Sequence, residues 1–330
     1  MIKVRTEDAV GKVLAYDTTY VGPDNATILL KRGHVITQED VEKLKNSGVY
    51  YVWVEGEEEP GYVYEWDITP FVASKVIGKN LKYEYSGQGL TRVISTVPGI
   101  LKVDAEAVTA FNENGQVLII TMPNNRPLGK GELAAVVEVI PLKMKKEELD
   151  SLPYKEMLRV EEFKLKKVGA VITGTEVYEG RKKDAYLPVI RAKCEKYGWE
   201  LVYHEFVPDD EDRIAKAIAN AYSSGAEAVI VTGGMSVDAT DRTVPAIRKL
   251  GAEIVTYGVP MKPTTMTAVA YLDGKPLFAI SAGGIYYSEW NSIDLIFTRM
   301  MAGERLTKRE IASIGVGGIQ EIFLRKVHHH

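Results

Sequence analysis

The chain has 330 residues, 45% of them apolar and 26% charged. It reads as a globular protein of two or three domains of the usual ~100–200 residues. Its net charge of −4, from 41 basic and 45 acidic side chains, argues against a general nucleic-acid binder, which carries a basic excess. The single cysteine, Cys194, excludes an intramolecular disulfide framework, a cysteine-based zinc site and a two-thiol redox centre, and reads as a small buried hydrophobe. No apolar run reaches the ~18 residues of a membrane span. The start, Met1-Ile2-Lys3-Val4-Arg5-Thr6-Glu7-Asp8, lacks the basic-then-apolar order of a secretory signal, so a cytoplasmic location is expected. The terminal His328-His329-His330 looks like part of a purification tag.

Residues 1–60 read as a small mixed α/β unit. Residues 10–15 suggest a strand or a turn. Thr37-Gln38-Glu39-Asp40 has the form of a capping box opening a helix with Val41 and Leu44 on its apolar face, and Gly48 stands where a C-terminal cap belongs. Residues 49–54 follow as a strand, and the acidic, breaker-rich stretch 55–61 as a linker. Residues 61–145 read as a β-rich domain, with strands at 117–121 and 134–140 and turns around Pro98-Gly99, Asn124-Asn125 and Gly129-Lys130-Gly131. The charged stretch 146–166, with a short helix, reads as a connector.

From residue 167 to 305 strands and helices alternate. The strand at 168–172 is wholly apolar, as a strand buried on both faces should be. Tyr186, Ile190, Cys194 and Tyr197 then follow a helical period, residues 201–207 form a strand, and Ile214, Ile218 and Tyr222 line a second helix. Asp209, Asp210 and Asp212 suit that helix's N-terminal dipole. A strand at 228–231, a helix at 243–249 and strands at 254–259 and 277–280 come next. Trp290, Ile293, Phe297 and Met300 mark a long closing helix, and 306–327 form a tail. The alternation predicts a three-layer α/β domain with a mainly parallel sheet, preceded by a smaller, mixed β-rich N-terminal portion.

In such a sheet, ligands bind beyond the carboxyl ends of the strands. Four segments leave strands at that edge: Thr173-Gly174-Thr175-Glu176, Thr232-Gly233-Gly234-Met235-Ser236, Met261-Lys262-Pro263-Thr264-Thr265 and Ser281-Ala282-Gly283-Gly284. Glycine lets a backbone approach an anion closely, so the four together point to a phosphate-bearing ligand. Asp238 and Asp241, three apart beside the glycine pair, suit Mg2+ held against phosphate oxygens, with helix capping as the competing role. Lys262, between two prolines, suits a phosphate or carboxylate contact. Glu176 suits amino or amide donors of a ligand, or the start of a helix. No Walker A loop, strand-borne Gly-x-Gly-x-x-Gly, Gly-x-Ser-x-Gly elbow or His-Glu-x-x-His occurs. Gly315-Val316-Gly317-Gly318 lacks a following βαβ unit, and His34 and His204 read as structural histidines without partners.

At these residues the chain resembles the molybdopterin-binding domain family of molybdenum cofactor biosynthesis. Val171-Ile172-Thr173-Gly174-Thr175-Glu176-Val177, Val231 to Val237 with Asp241, and Val259-Pro260-Met261-Lys262-Pro263 carry the likeness. Residues 7–15 and 30–36 look like the N-terminal part of multidomain molybdopterin molybdotransferases. The resemblance implies that the loop Gly233-Gly234-Met235-Ser236 cradles molybdopterin or its adenylylated form. It places Asp241 in the acidic position, as metal ligand or polar catalyst, with Ser236 matching the molybdotransferase pattern. The remaining ligand contacts would come from Thr173, Gly174, Thr175, Glu176, Thr232, Lys262, Pro263, Ser281, Gly283 and Gly284. Mg2+ would serve as cofactor, and molybdate or tungstate as co-substrate. No nucleic acid or membrane partner is expected, and a homo-oligomer is. Asp238 stands where molybdotransferases usually have glycine, and Ser281-Ala282-Gly283-Gly284 where they have Leu-Pro-Gly-Asn-Pro. A further C-terminal domain is not expected. Metal insertion, adenylyl transfer and ligand binding without turnover are the three activities these residues leave open.

Overall fold

In the N-terminal unit, local chemistry fixes where the helix starts. In a computed structural model, which describes residues 1–23, 25–57, 59–235, 241–287 and 289–327, the helix Gln38–Asn46 begins at the expected capping box. Thr37 Oγ1 accepts from the Asp40 N–H, and the Asp40 carboxylate accepts from the Thr37 N–H. His34 is not without a partner: its Nε2 lies 2.7 Å from Asp40 Oδ2. Burial pushes the Asp40 carboxyl up, but the hydrogen bonds from His34 and Thr37 outweigh it and hold the group down at about 2. Strand Tyr51–Val54 pairs antiparallel with Ile2–Arg5, and residues 10–15 form a turn with two isolated bridges, Val13 to Val35 and Leu14 to Val54. Leu14, Ile36, Val41, Leu44, Val52 and Val54 fill a small core between them.

The middle of the chain builds a four-stranded antiparallel sheet, in the order Leu81–Gly87, Leu90–Ser95, Leu133–Val139, Val117–Thr121. Helix Glu65–Val76 lays Ile68, Val72 and Val76 against it. Sequence reasoning missed this helix because Pro70 sits inside it. A second sheet joins Pro127–Leu128, Gly99–Val103 and Leu158–Glu162. The stretch 146–166 is therefore more than a connector. It has the expected short helix, Lys146–Asp150, and then a strand whose buried Leu158 and Val160 alternate with charged Arg159 and Glu161. The density of charged residues of both signs concealed that period-two pattern.

The α/β portion has six strands: β1 (Lys167–Thr173), β2 (Glu200–Val207), β3 (Ala228–Thr232), β4 (Glu253–Tyr257), β5 (Thr267–Leu272) and β6 (Lys275–Ile280). Their order is β2-β1-β3-β6-β5-β4, parallel except for β5, which runs antiparallel to both neighbours. Helices α1 (Thr175–Tyr178), α2 (Tyr186–Tyr197), α3 (Glu211–Ser223), α4 (Thr243–Lys249) and α5 (Ala282–Tyr287) connect them. Alternate strand residues serve opposite faces. Ile172, Ile230 and Phe278 pack with Ile190, Cys194 and Tyr197 of α2, whereas Val171, Val231 and Ala279 pack with Ile214 and Ile218 of α3 and Ile247 of α4. This is the expected three-layer arrangement with a mainly parallel sheet. Burial pushes the Cys194 thiol up to about 12, consistent with a buried hydrophobe.

The closing helix is not one long element. It starts as a π-helical stretch, Ile293–Phe297, and ends as the short α6 (Thr298–Met301), with Trp290 before it in a bend. A buried charge lies within it. Asp294 is fully buried, and its carboxylate accepts from Lys193 Nζ at 2.8 and 2.7 Å, Tyr197 Oη at 2.6 Å and the Asn291 N–H at 2.9 Å. Lys193 also donates to the Glu289 carbonyl. Among the described residues, no helix is long and apolar enough to cross a membrane.

Candidate functional site

The strand directions place the candidate site. β1, β3, β4 and β6 all finish at one edge of the sheet, and β5 starts there. The four glycine- and hydroxyl-bearing segments therefore emerge together, and contacts join them in series. The Gly233 N–H donates to the Ile280 carbonyl (3.1 Å), the Ser281 N–H to the Met266 carbonyl (3.0 Å) and the Ser292 N–H to Thr264 Oγ1 (3.0 Å). A Cβ on Gly284 would fall 2.0 Å from Thr264 Cγ2, so glycine there allows the third and fourth segments to touch.

The glycine pair is equally constrained. Gly233 has φ +93° and Gly234 φ +57°; a Cβ on Gly233 would lie 2.5 Å from the Thr173 carbonyl, and one on Gly234 2.7 Å from Thr243 Oγ1. Thr243, the first residue of α4, returns its hydroxyl to the Gly233 carbonyl at 2.8 Å. The last residues of β1 and β3, Thr173 and Thr232, are 2% and 0% exposed; the strand alternation turns them to opposite faces of the sheet, and Thr173 Oγ1 lies 2.7 Å from where a Cβ on Gly233 would stand. Neither hydroxyl has a hydrogen-bond partner among the described residues. An unsatisfied buried polar group costs about 1–3 kcal/mol, so each calls for a partner.

Asp209 has a different role from the one its position suggested. Asp210 caps α3 through the Arg213 N–H at 2.9 Å, and Asp212 pairs with Lys249. Asp209 turns away to the site, where its Oδ2 accepts from the Thr175 N–H (2.9 Å) and Oγ1 (3.1 Å). It thus anchors the segment after Gly174. The main chain of Glu176 accepts from the N–H groups of Arg181 and Lys182, closing a tight turn after α1. Tyr257, at the end of β4, was also missed by sequence reasoning. Its hydroxyl donates to the Met235 carbonyl at 2.7 Å. Burial pushes the phenol up, and the Asp241 carboxylate pushes it further.

Lys262 is exposed, but its backbone is not free: its N–H donates to the Gly318 carbonyl and its carbonyl accepts from the Gln320 N–H, both at 2.9 Å. Pro263 follows through a cis peptide bond, and Thr264 has φ +79°. A β-branched residue in the left-handed region costs about 1–3 kcal/mol and persists only where neighbours hold it. The bonds from the Ser292 N–H and from Thr267 Oγ1 to Thr264 do so. A Cβ on Gly283, in the first turn of α5, would meet nothing within 4 Å. Ser236 and Asp238 lie outside the described residues. Among the described residues, no three His, Cys, Asp or Glu side chains gather as a metal site.

The fold is that of an α/β protein whose glycine- and hydroxyl-bearing loops gather at one strand-end edge of the sheet. Residues 169–287 match the family described as "Probable molybdopterin binding domain", so the chain carries in this segment a molybdopterin-binding domain of molybdenum cofactor biosynthesis. Residues 3–56 match a model described as a domain of unknown function. A molybdopterin molybdenumtransferase of Staphylococcus aureus is 32% identical over 129 residues, 37% of this chain and 30% of that protein. A molybdopterin adenylyltransferase of Pyrococcus furiosus is 30% identical over 105 residues, 32% of this chain and 62% of that protein. The match to the first thus spans less than a third of its length. Among solved structures, a tungsten cofactor synthesizing protein, MoaB, of Pyrococcus furiosus aligns at 21% identity and a TM-score of 0.32, over 37% of this chain and 86% of that one.

Proposed function

We propose that the chain binds molybdopterin, or its adenylylated form, at the sheet edge formed by residues 173–176, 232–235, 261–265 and 281–284, with Asp241 nearby in sequence, and that it inserts molybdate or tungstate with release of AMP. The buried Thr173 hydroxyl beside the Gly233-Gly234 loop, without a hydrogen-bond partner among the described residues, is the observation that carries the reading. In it, Thr173, Thr232 and the loop's N–H groups take phosphate oxygens, and the absence of a Cβ at both glycines keeps that approach open. Lys262 supplies a cation to the same phosphate. Glu176, on the turn that Asp209 anchors, accepts from the ligand's amino group. Ser281 and the N–H groups of Gly283 and Gly284 complete the rim.

Mg2+ fits the chemistry of these donors, because it favours one or two carboxylates together with phosphate oxygens and water. Asp241 would hold it beside the loop, with Asp238 as the second carboxylate. When bound, the ion would neutralise phosphate charge and polarise the phosphoanhydride. Ser236 would orient the scissile phosphate from the loop. The segment Ser281-Ala282-Gly283-Gly284, where molybdotransferases have Leu-Pro-Gly-Asn-Pro, favours a second reading: a carrier or sensor that binds the cofactor without turnover. Incubation with adenylylated molybdopterin and molybdate separates the two. AMP release supports the transferase, and tight binding with no AMP supports the carrier.

A further inference from the structure

The Gly315-Val316-Gly317-Gly318 run has no place in the proposed ligand cradle, yet it is built against one of the cradle's loops. Residues 318–320 pass alongside Lys262 as a short parallel bridge. The Lys262 N–H donates to the Gly318 carbonyl, and the Lys262 carbonyl accepts from the Gln320 N–H, both at 2.9 Å. Both backbone polar groups of Lys262 are therefore held by the tail. A Cβ on Gly318 would lie 2.3 Å from the Pro260 carbonyl oxygen and one on Gly315 3.3 Å from Pro260 Cβ, so the glycines permit the approach. Gly318 lacks a positive φ, which leaves that contact as its reason for being glycine. Loop and tail together wall a cavity of about 240 Å³, lined by Met261, Lys262, Thr265, Gly318 and Ile319 among others.

The far end of the strap is anchored as well. Gln320 Oε1 accepts from Trp290 Nε1 at 3.0 Å, and the guanidinium of Arg126 stacks over the Trp290 ring at 3.8 Å. The tail thus ties the Lys262 loop to the segment that follows α5 and, through Arg126, to the middle of the chain.

We infer that Gly318 and Gln320 are positioning residues: the tail straps the Lys262 backbone in place so that the lysine side chain meets the phosphate of the bound ligand. The inference rests on the ligand site proposed above. It makes the C-terminal tail part of the site without touching the ligand itself. Removing the strap frees the Lys262 backbone, and a flexible lysine contributes less to binding because its ordering is then charged against affinity.

Two variants break the strap by different means. Gly318→Ala drives a methyl group into the Pro260 carbonyl, and Gln320→Pro deletes the N–H that holds Lys262. AMP, a phosphate monoester, serves as the probe in titrations of the full chain, with and without Lys262→Ala. Amide hydrogen exchange at Lys262 reads the strap with no ligand present. Each strap variant is expected to speed exchange of the Lys262 amide at least tenfold, to leave exchange in β1 and β3 unchanged, and to weaken AMP binding several-fold. On the Lys262→Ala background neither variant should weaken AMP further. Equal losses on both backgrounds would overturn the inference, since the tail would then act through something other than Lys262. So would unchanged AMP affinity in the strap variants while Lys262→Ala weakens it. If Lys262→Ala itself leaves AMP affinity intact, the assignment of Lys262 to the ligand fails, and the strap's role in binding falls with it. Should Gly318→Ala not fold, Gln320→Pro carries the comparison alone.

Discussion

Replacing Lys193 by methionine tests whether the buried charge cluster holds the segment that borders the site. Methionine keeps most of the stem's packing and removes the ammonium. Asp294, fully buried, would lose both contacts from Nζ and, among the described residues, keep those from the Tyr197 hydroxyl and the Asn291 N–H. Breaking one side of a buried pair costs about 3–5 kcal/mol, because the remaining charge stays desolvated. The two surviving donors favour the lower end, about 3 kcal/mol, which for a domain of this size lowers the melting temperature by roughly 6–12 °C. Adding Asp294→Asn to Lys193→Met removes the stranded charge and should recover at least about 1.5 kcal/mol, since neutral replacements of buried pairs are often tolerated. Urea and thermal unfolding can be followed by fluorescence of Trp199, whose ring lies 5.0 Å from that of Tyr197. A loss below about 1 kcal/mol in Lys193→Met, or no recovery in the double variant, would refute the cluster as a closed ion pair.

Three further outcomes are expected. Gly234→Val should weaken pterin-phosphate binding at least tenfold (about 1.4 kcal/mol). It should also lower stability by about 1–2 kcal/mol from the left-handed backbone alone, because that loop is packed against Thr243 and Thr173; paired titration and melting measure both. Asp241→Asn should retain ligand binding but reduce AMP release at least tenfold, about 1.4 kcal/mol in the barrier; unchanged turnover would remove Asp241 from the proposed metal site. Burial raises the Glu65 carboxyl above its ordinary value, against hydrogen bonds from Tyr16, Tyr85 and the Gly89 N–H. A raised value means the folded state holds the proton more tightly, so that contribution is full below the ordinary glutamate value of about 4.3 and is lost as pH rises through the raised one. Glu65→Gln should therefore gain on wild type in urea midpoint as pH rises over that window, and a pH-independent difference would contradict the assignment.

Much of this arrangement is legible in the sequence because it depends on local signals. The capping box at Thr37 needs only Asp40 three residues on, and the parallel strands announce themselves as short apolar runs between helical periods. The four strand-end segments follow from strand order and direction, which the βαβ alternation supplies. Other features depend on partners far away in the chain. Lys193 and Asp294 are 101 residues apart and meet only in the folded core; no spacing rule marks them. Asp209 reads as one of several helix-start acids until Thr175 is seen beside it. β5 was missed because Thr267 to Leu272 lies between two other strands with almost no polar residue to show a period. The glycines at 315–318 read as an incomplete nucleotide motif, and only the approach of Pro260 and Lys262 gives them a physical reason.

The central claim is that the sheet edge holds a pterin phosphate. Mass spectrometry of the ligand that co-purifies with protein made in a molybdopterin-producing host tests it most directly. The account predicts molybdopterin or its adenylylated form in near-stoichiometric amount with the wild-type chain, and its loss from folded Gly234→Val protein. A different ligand, or molybdopterin retained in full by the folded variant, would contradict it.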